Sequence, residues 1–202
     1  AAREHWNECD SIAGSPAETY LRHRGLVYAD GQTALPANAG YHAGLWHKGA
    51  QQHAPALVVR REHPDGSFAG VQRTFLAPDG NGKAGFGEDK LSLGRAPGAV
   101  VWLKCEGDTL FVAEGVESAL ALHAAEGGAA VATLGKANFG HLHIAAKFAK
   151  VVIAPDNDDG SDPHAAADDA ARRLIKQGHR VAKKVPPAGC DFADVIAGKA
   201  AA

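Results

Sequence analysis

Methionine is absent from all 202 residues, position 1 included. The expectation drawn from this is a segment of a longer polypeptide. Cysteine is scarce: Cys9, Cys105 and Cys190 are odd in number and far apart. That excludes a disulfide framework and leaves no Cys-x-x-Cys spacing for zinc. No run approaches the roughly 18 to 20 apolar residues of a membrane span, and the N-terminus lacks the basic-then-apolar order of a signal peptide. The expected setting is cytoplasmic, away from any membrane. Nor does charge of one sign dominate. The formal net charge is -2, whereas a module holding nucleic acid by bulk electrostatics is usually basic. Contact with an anionic substrate must then come from a local cluster or from metal ions. The 11 His residues show no His-Glu-x-x-His spacing and read as surface residues.

What is present is enough for one good core or two small ones, with 46% hydrophobic residues. The chain changes character near residue 98. Residues 2–9 and 16–24 read as short helices. In the second, Ser15 is placed to cap, Pro16 suits the first turn and Glu18 has the capping-box spacing. Residues 31–54 read as loop or short irregular strands. "ALVVRRE" and "FAGVQRTFL" alternate as strands around the Asp-Gly hairpin signal of "HPDGS". The glycine-rich stretch 77–98 reads as an exposed loop. Residues 1–98 are thus expected to form a small α+β unit.

From residue 99 apolar runs alternate with helical patterns. "TLFVAEG", "AAVATLG", "KVVIAPDND" and "HRVAKKVP" read as strands. "VESALALHAAEG", "FGHLHIAAKFA" and "DPHAAADDAARRLIKQG" read as helices, the last capped by Asp162 with Pro163 in its first turn. Such alternation predicts an α/β fold with a parallel sheet of about four strands flanked by helices, over residues 99–202. Ligands in such sheets sit beyond the carboxyl ends of the strands, where Glu114 and the pair Asp156 and Asp158 fall.

Three carboxylates converging there repel one another and need a cation or raised pKa values. Hard oxygen ligands of this kind suit Mg²⁺ or Mn²⁺. Glu117, in the next helical turn, is a further candidate ligand or simply a partner of the helix dipole. A calcium loop starting at Asp156 is excluded, because Gly160 stands where an oxygen ligand is needed and Ala167 where the closing Glu belongs.

The motifs "FVAEGVESALAL", "VVIAPDNDDG" and "GCDFADVIA" together resemble a Toprim domain, the metal-binding, Rossmann-like module of bacterial-type primases, type IA and type II topoisomerases and some nucleases. Glu114 and Gly115 match its Glu-Gly motif, and Asp156 and Asp158 its Asp-x-Asp motif. The subgroup it looks most like is that of phage and plasmid primase-like proteins, through "AETYLRHRGL" and "KLSLGRAPGAVVWL" upstream. The resemblance implies acid/base chemistry at Glu114, Mg²⁺ or Mn²⁺ at the aspartates, and accessory acids at Asp191 and Asp194, which a capped terminal helix explains equally well.

It also implies a choice among reactions. A topoisomerase needs a nucleophilic tyrosine, and Tyr20, Tyr28 and Tyr41 all lie in the small N-terminal unit in no recognisable context. A DNA primase would join ribonucleoside triphosphates on a single-stranded DNA template. Arg73, Lys83, Lys90, Arg95 and Lys136 are then candidates for nucleotide and DNA contacts. Flanking zinc-binding and helicase or relaxase domains of the same polypeptide would be expected partners. A metal-dependent nuclease and a non-catalytic nucleic-acid-binding module are the alternatives; packed carboxylates near phosphate speak against the latter.

Overall fold

The computed structural model describes residues 1–94, 97–145, 147–157 and 164–198. Helices α1 (Ala2–Asn7) and α2 (Pro16–His23) open the chain. Ser15 caps α2 as expected: its Oγ accepts from the Ala17 N–H at 3.2 Å and donates to the Ile12 carbonyl at 2.6 Å. Glu18 reaches back one residue further than a standard capping box, to the N–H of Gly14 at 2.7 Å.

Four antiparallel strands follow in the sheet order β1-β2-β3-β4. They are β1 (Ala39–His47), β2 (Gln52–Glu62), β3 (Phe68–Phe75) and β4 (Lys90–Leu93). The predicted Asp65-Gly66 turn joins β2 to β3, with Asp65 Oδ1 accepting from the Ser67 N–H at 2.9 Å. Two expectations are corrected here. Residues 39–47 form one nine-residue strand, with a register shift between His42 and Leu45, because pairing along β2 overrides the weak strand propensity of its Gly and Ala residues. Within the glycine-rich stretch, residues 90–93 pair with β3 as a fourth strand. A bridge between Leu76 and Lys83 closes a short hairpin upstream of it. Gly80 in that hairpin lies so close to α2 that a Cβ would come within 2.3 Å of the Pro16 carbonyl.

The sheet's two faces bury different partners. Ala56, Val58, Val71 and Phe75 pack with α1, whereas Leu57 and Val59 point the other way.

The second sheet has the order β5-β7-β6-β8-β9, from β5 (Val101–Lys104), β6 (Thr109–Ala113), β7 (Ala129–Ala132), β8 (Lys150–Ala154) and β9 (Arg180–Lys183). Strands β7, β6, β8 and β9 are parallel, the expected four, and β5 adds an antiparallel edge beside β7. The central strands are buried on both faces, which is why they read as continuous apolar runs. Helix α3 (Val116–Glu126) covers the face of Phe111, Ala113, Val152 and Ala154. Helix α4 (His164–Lys176) covers the face of Leu110, Val112, Val151 and Ile153 through Ala167, Ala170 and Leu174. The helix expected in "FGHLHIAAKFA" is instead a 3-10 turn, Lys136–His141, followed by irregular chain. Phe139, Leu142 and Phe148 bury as separate anchors there rather than as a helical stripe, and Gly140 weakens the helix locally. The expected cap of α4, Asp162 and Pro163, lies outside the described residues.

One core crosses residue 98. Tyr20, Leu21, Leu57 and Val59 pack in the same cluster as Leu103, Leu120 and Phe192, the first residue of the last helix, α5 (Phe192–Ile196). Helix α3 is therefore covered on both sides, and Val116 through Leu122 are all buried.

Candidate active site

Strands β6 and β8 are neighbours, in register from Thr109 opposite Lys150 to Ala113 opposite Ala154. Glu114 and Asp156, just beyond these ends, leave the sheet at the same carboxyl edge. From β6 the chain passes through α3 on one face to β7. From β8 it passes through α4 on the other face to β9, on the opposite side. The gap between β6 and β8 is thus the topological switch point, where open α/β sheets receive ligands.

Local bonds fix both acids. The Glu114 carbonyl accepts from the Leu134 N–H at 2.9 Å, in a turn where Leu134 holds a φ of 58°, unusual for a bulky residue. Asn138 Nδ2 ties that turn by donating to the Thr133 carbonyl at 2.7 Å. Half-buried Lys136 follows Leu134 by two residues and opens the 3-10 turn Lys136–His141. Asp156 Oδ1 accepts the Ser118 hydroxyl at 2.8 Å. Its neighbour Asn157 donates from Nδ2 to the Pro186 carbonyl at 3.0 Å and bridges through its backbone to Cys190, so the residues before α5 are drawn to the same edge.

Gly115 is not held in a backbone conformation that only glycine adopts. Its φ of -99° and ψ of 157° are extended and open to any residue. A Cβ there would make ordinary van der Waals contact with three oxygens, 3.7 Å from Asp156 Oδ2, 3.9 Å from Glu117 Oε2 and 4.0 Å from Ser118 Oγ.

Glu117 is placed differently from the strand-end acids. It is buried, with Oε1 accepting the Tyr20 hydroxyl at 2.9 Å and Oε2 accepting Lys90 Nζ at 2.8 Å. Burial alone would raise its pKa, but Lys90, its own backbone N–H and Tyr20 outweigh that and hold it well below the usual carboxylate range. Both oxygens that a metal would use are engaged. Lys90, a candidate for nucleotide contact, is engaged with Glu117 in turn. Desolvation works against its charge, yet Glu117 keeps its pKa raised.

Asp191 caps α5 by accepting the Asp194 N–H at 2.7 Å. Arg24 spans the two acids, donating to Asp191 Oδ2 at 3.3 Å and to Asp194 Oδ1 at 3.2 Å. Burial, partly countered by the Asp194 N–H, raises the Asp191 pKa.

The remaining candidates scatter. Arg73 lies on the α1 face of its sheet, over Phe75 at 5.7 Å from the ring centroid. Strand alternation puts it opposite the face that bears Leu57 and Val59. Lys83 is exposed in the hairpin near α2. Asp158 and Arg95 lie outside the described residues. Ser118, Arg24 and Asn157 escaped the sequence reading, and Tyr20 entered it only as a tyrosine in no recognisable context. The available signals were the one-turn spacings of Glu114 to Ser118 and of Tyr20 to Arg24.

Residues 1–103 match the family described as a domain of unknown function, DUF7146. The chain belongs to that family. Residues 109–202 match the Toprim domain, and the parallel sheet flanked by helices described above matches the Toprim fold of primases. The chain is similar to a DnaG primase catalytic domain bound to single-stranded DNA, at 16% identity and a TM-score of 0.61 over 98% of this chain and 74% of that one. It is similar to the E. coli primase catalytic core at 16% identity and a TM-score of 0.52, covering 99% and 74%. A DNA primase domain from Pseudomonas aeruginosa aligns at 17% identity and a TM-score of 0.47, with 77% of this chain covering 52%, about half, of that one. No curated protein matches the sequence.

Toprim domains generally bind divalent metal ions, and the strand ends suit one. Among the described residues no three His, Cys, Asp or Glu side chains form a ligand group. Glu114 and Asp156 are nevertheless hard oxygen donors on adjacent strand ends. That is the donor set of Mg²⁺, which takes one or two carboxylates and completes its shell with water and substrate phosphates. Among the described residues no helix is long and apolar enough to cross a membrane.

Proposed function

We propose that the chain is the catalytic core of a DNA primase, a metal-dependent nucleotidyltransferase that makes RNA primers on single-stranded DNA as part of a larger replication or mobilisation protein. The observation that carries this reading is the placement of Glu114 and Asp156 side by side at the switch point. In this reading residues 1–98 are the primase-associated unit and residues 99–202 the catalytic Toprim domain. Asp156, with Asp158, holds Mg²⁺ or Mn²⁺, and Ser118 orients Asp156. The ion supplies neutralisation of charge on phosphate oxygens. Glu114 takes the proton of the attacking hydroxyl, and Lys136 meets the phosphates of the nucleotide or template. The phage or plasmid origin and the zinc-binding, helicase or relaxase neighbours belong to the same proposal.

A metal-dependent nuclease would use the same acids with water as the nucleophile, so one gel separates the readings. Labelled single-stranded DNA is incubated with ribonucleoside triphosphates, one of them labelled, and Mg²⁺ or Mn²⁺, with Glu114→Gln as control. Oligoribonucleotides made only by the unmutated chain are the expected result. Cut DNA without incorporation would establish the nuclease instead, and intact DNA without incorporation the non-catalytic module.

A further inference from the structure

Two layers of acid occur around the carboxyl edge. The outer layer is Glu114 and Asp156 on the strand ends. The inner layer is Glu117, Asp191 and Asp194, and each of these meets a side chain from the first 98 residues. Lys90 of β4 and Tyr20 of α2 take both oxygens of Glu117. Arg24 takes Asp191 and Asp194 together. Tyr20 and Arg24 are one turn apart, so they project from the same face of α2.

We propose that Arg24 and Lys90 are built-in counter-ions that divide the acidic crevice, neutralising the inner acids so that divalent metal binds only at the strand-end acids. They are positioning residues: Asp191 and Asp194 act as a latch for Arg24, not as accessory metal ligands. The inference rests on reading Glu114 and Asp156 as a metal site. Its physical basis is the choice of cation. An arginine fork bridging two carboxylates offers fixed, directional donors. A divalent ion at the same place would displace that fork and leave a half-buried guanidinium without its acids, which is costly. Arg24 fits its role electrostatically: burial disfavours its charge, but Asp191, Tyr20, Glu117 and Asp194 together raise its pKa.

The test uses the full chain and two readouts. Mn²⁺ binding is titrated by electron paramagnetic resonance, and thermal midpoints are taken in EDTA. The Asp191→Asn/Asp194→Asn double variant should keep its Mn²⁺ affinity within about twofold, whereas Asp156→Ala should lose about tenfold or more. Arg24→Gln should bind an additional Mn²⁺, because the inner acids lose their cation. Arg24→Lys should abolish that extra binding while restoring only part of the stability. In EDTA, Arg24→Gln combined with the double variant should lose less than the sum of the separate losses, as coupled groups do. A double variant as impaired as Asp156→Ala in Mn²⁺ binding would make Asp191 or Asp194 a ligand and overturn the division. Additive thermal losses would overturn the latch. Unchanged Mn²⁺ binding in Asp156→Ala would remove the strand-end metal site itself, and the EDTA cycle, which involves no metal, would still decide the latch.

Discussion

Ser118, in the first turn of α3, gives its hydroxyl to Asp156 Oδ1 at 2.8 Å, across from the end of β8. The bond turns Oδ2 toward Gly115, where it lies 3.7 Å from the position a Cβ would take. Ser118→Ala should therefore weaken Mn²⁺ binding by about tenfold, the lower end for a residue that orients a ligand. The thermal midpoint should move little, since the bond lost is a single one. Calorimetric titration checks the first expectation and a melting curve the second.

Gly115→Ala asks whether room or backbone freedom matters at the Glu-Gly motif. The backbone there is extended, so alanine fits without strain, and stability should change by no more than about 1 kcal/mol. The new methyl would stand beside three oxygens and hinder water and ligand access to Asp156. The expected outcome is a folded protein with impaired metal binding and primer synthesis. Loss of folding would mean that the backbone at this position requires glycine.

The Glu117–Lys90 pair predicts an acid-limb pH dependence. The folded-state pKa of Glu117 is depressed, so the pair stabilises the fold above the unfolded carboxylate pKa and is lost as the pH falls through the folded value. That loss should begin below about pH 4.5 and extend to about pH 2. Lys90 is raised, so its contribution is complete at neutral pH and lost only above the ordinary lysine range. Glu117→Gln should cost about 2–3 kcal/mol at neutral pH, less than the loss of a fully buried pair. Lys90 keeps 36% of its side chain exposed, which is the reason for the lower figure. The deficit should shrink on acidification, as denaturant melts across pH would show.

Arg73 and Lys136 should part company. Arg73 sits on the α1 face, so Arg73→Ala should leave DNA affinity unchanged and lower stability by about 1 kcal/mol through lost packing on Phe75. Lys136→Ala should weaken single-stranded DNA or nucleotide binding and reduce its salt dependence by about one ion. Fluorescence anisotropy at several salt concentrations separates the two.

The parallel sheet was legible because β6, β7 and β8 are covered on both faces and so read as unbroken apolar runs. The position of Glu114 and Asp156 at the carboxyl edge was legible because each closely follows an apolar strand run. β1 and β4 were not: Gly and Ala in residues 39–47 carry little strand signal, and Lys90–Leu93 becomes a strand only by pairing with β3. Glu117, Lys90, Asp191 and Asp194 show the limit most clearly. Chemistry alone offers each as a ligand or nucleotide contact. Their pairing with Tyr20, Arg24 and one another depends on contacts spanning 27 to 170 residues, for which no local pattern exists.

Those long spans also order events at the ribosome. Arg24 is made 167 residues before Asp191 and 170 before Asp194. At about 5–20 residues per second, the gap is roughly 8–35 s. Through the whole of that interval Tyr20, Leu57 and Val59 share a core with α5 that has not yet been made. Translation that stops before residue 191 leaves a chain in which Arg24 never meets its two acids. The acidic crevice is thus among the last parts of the molecule to be completed, and its assembly reports that synthesis has run through to α5.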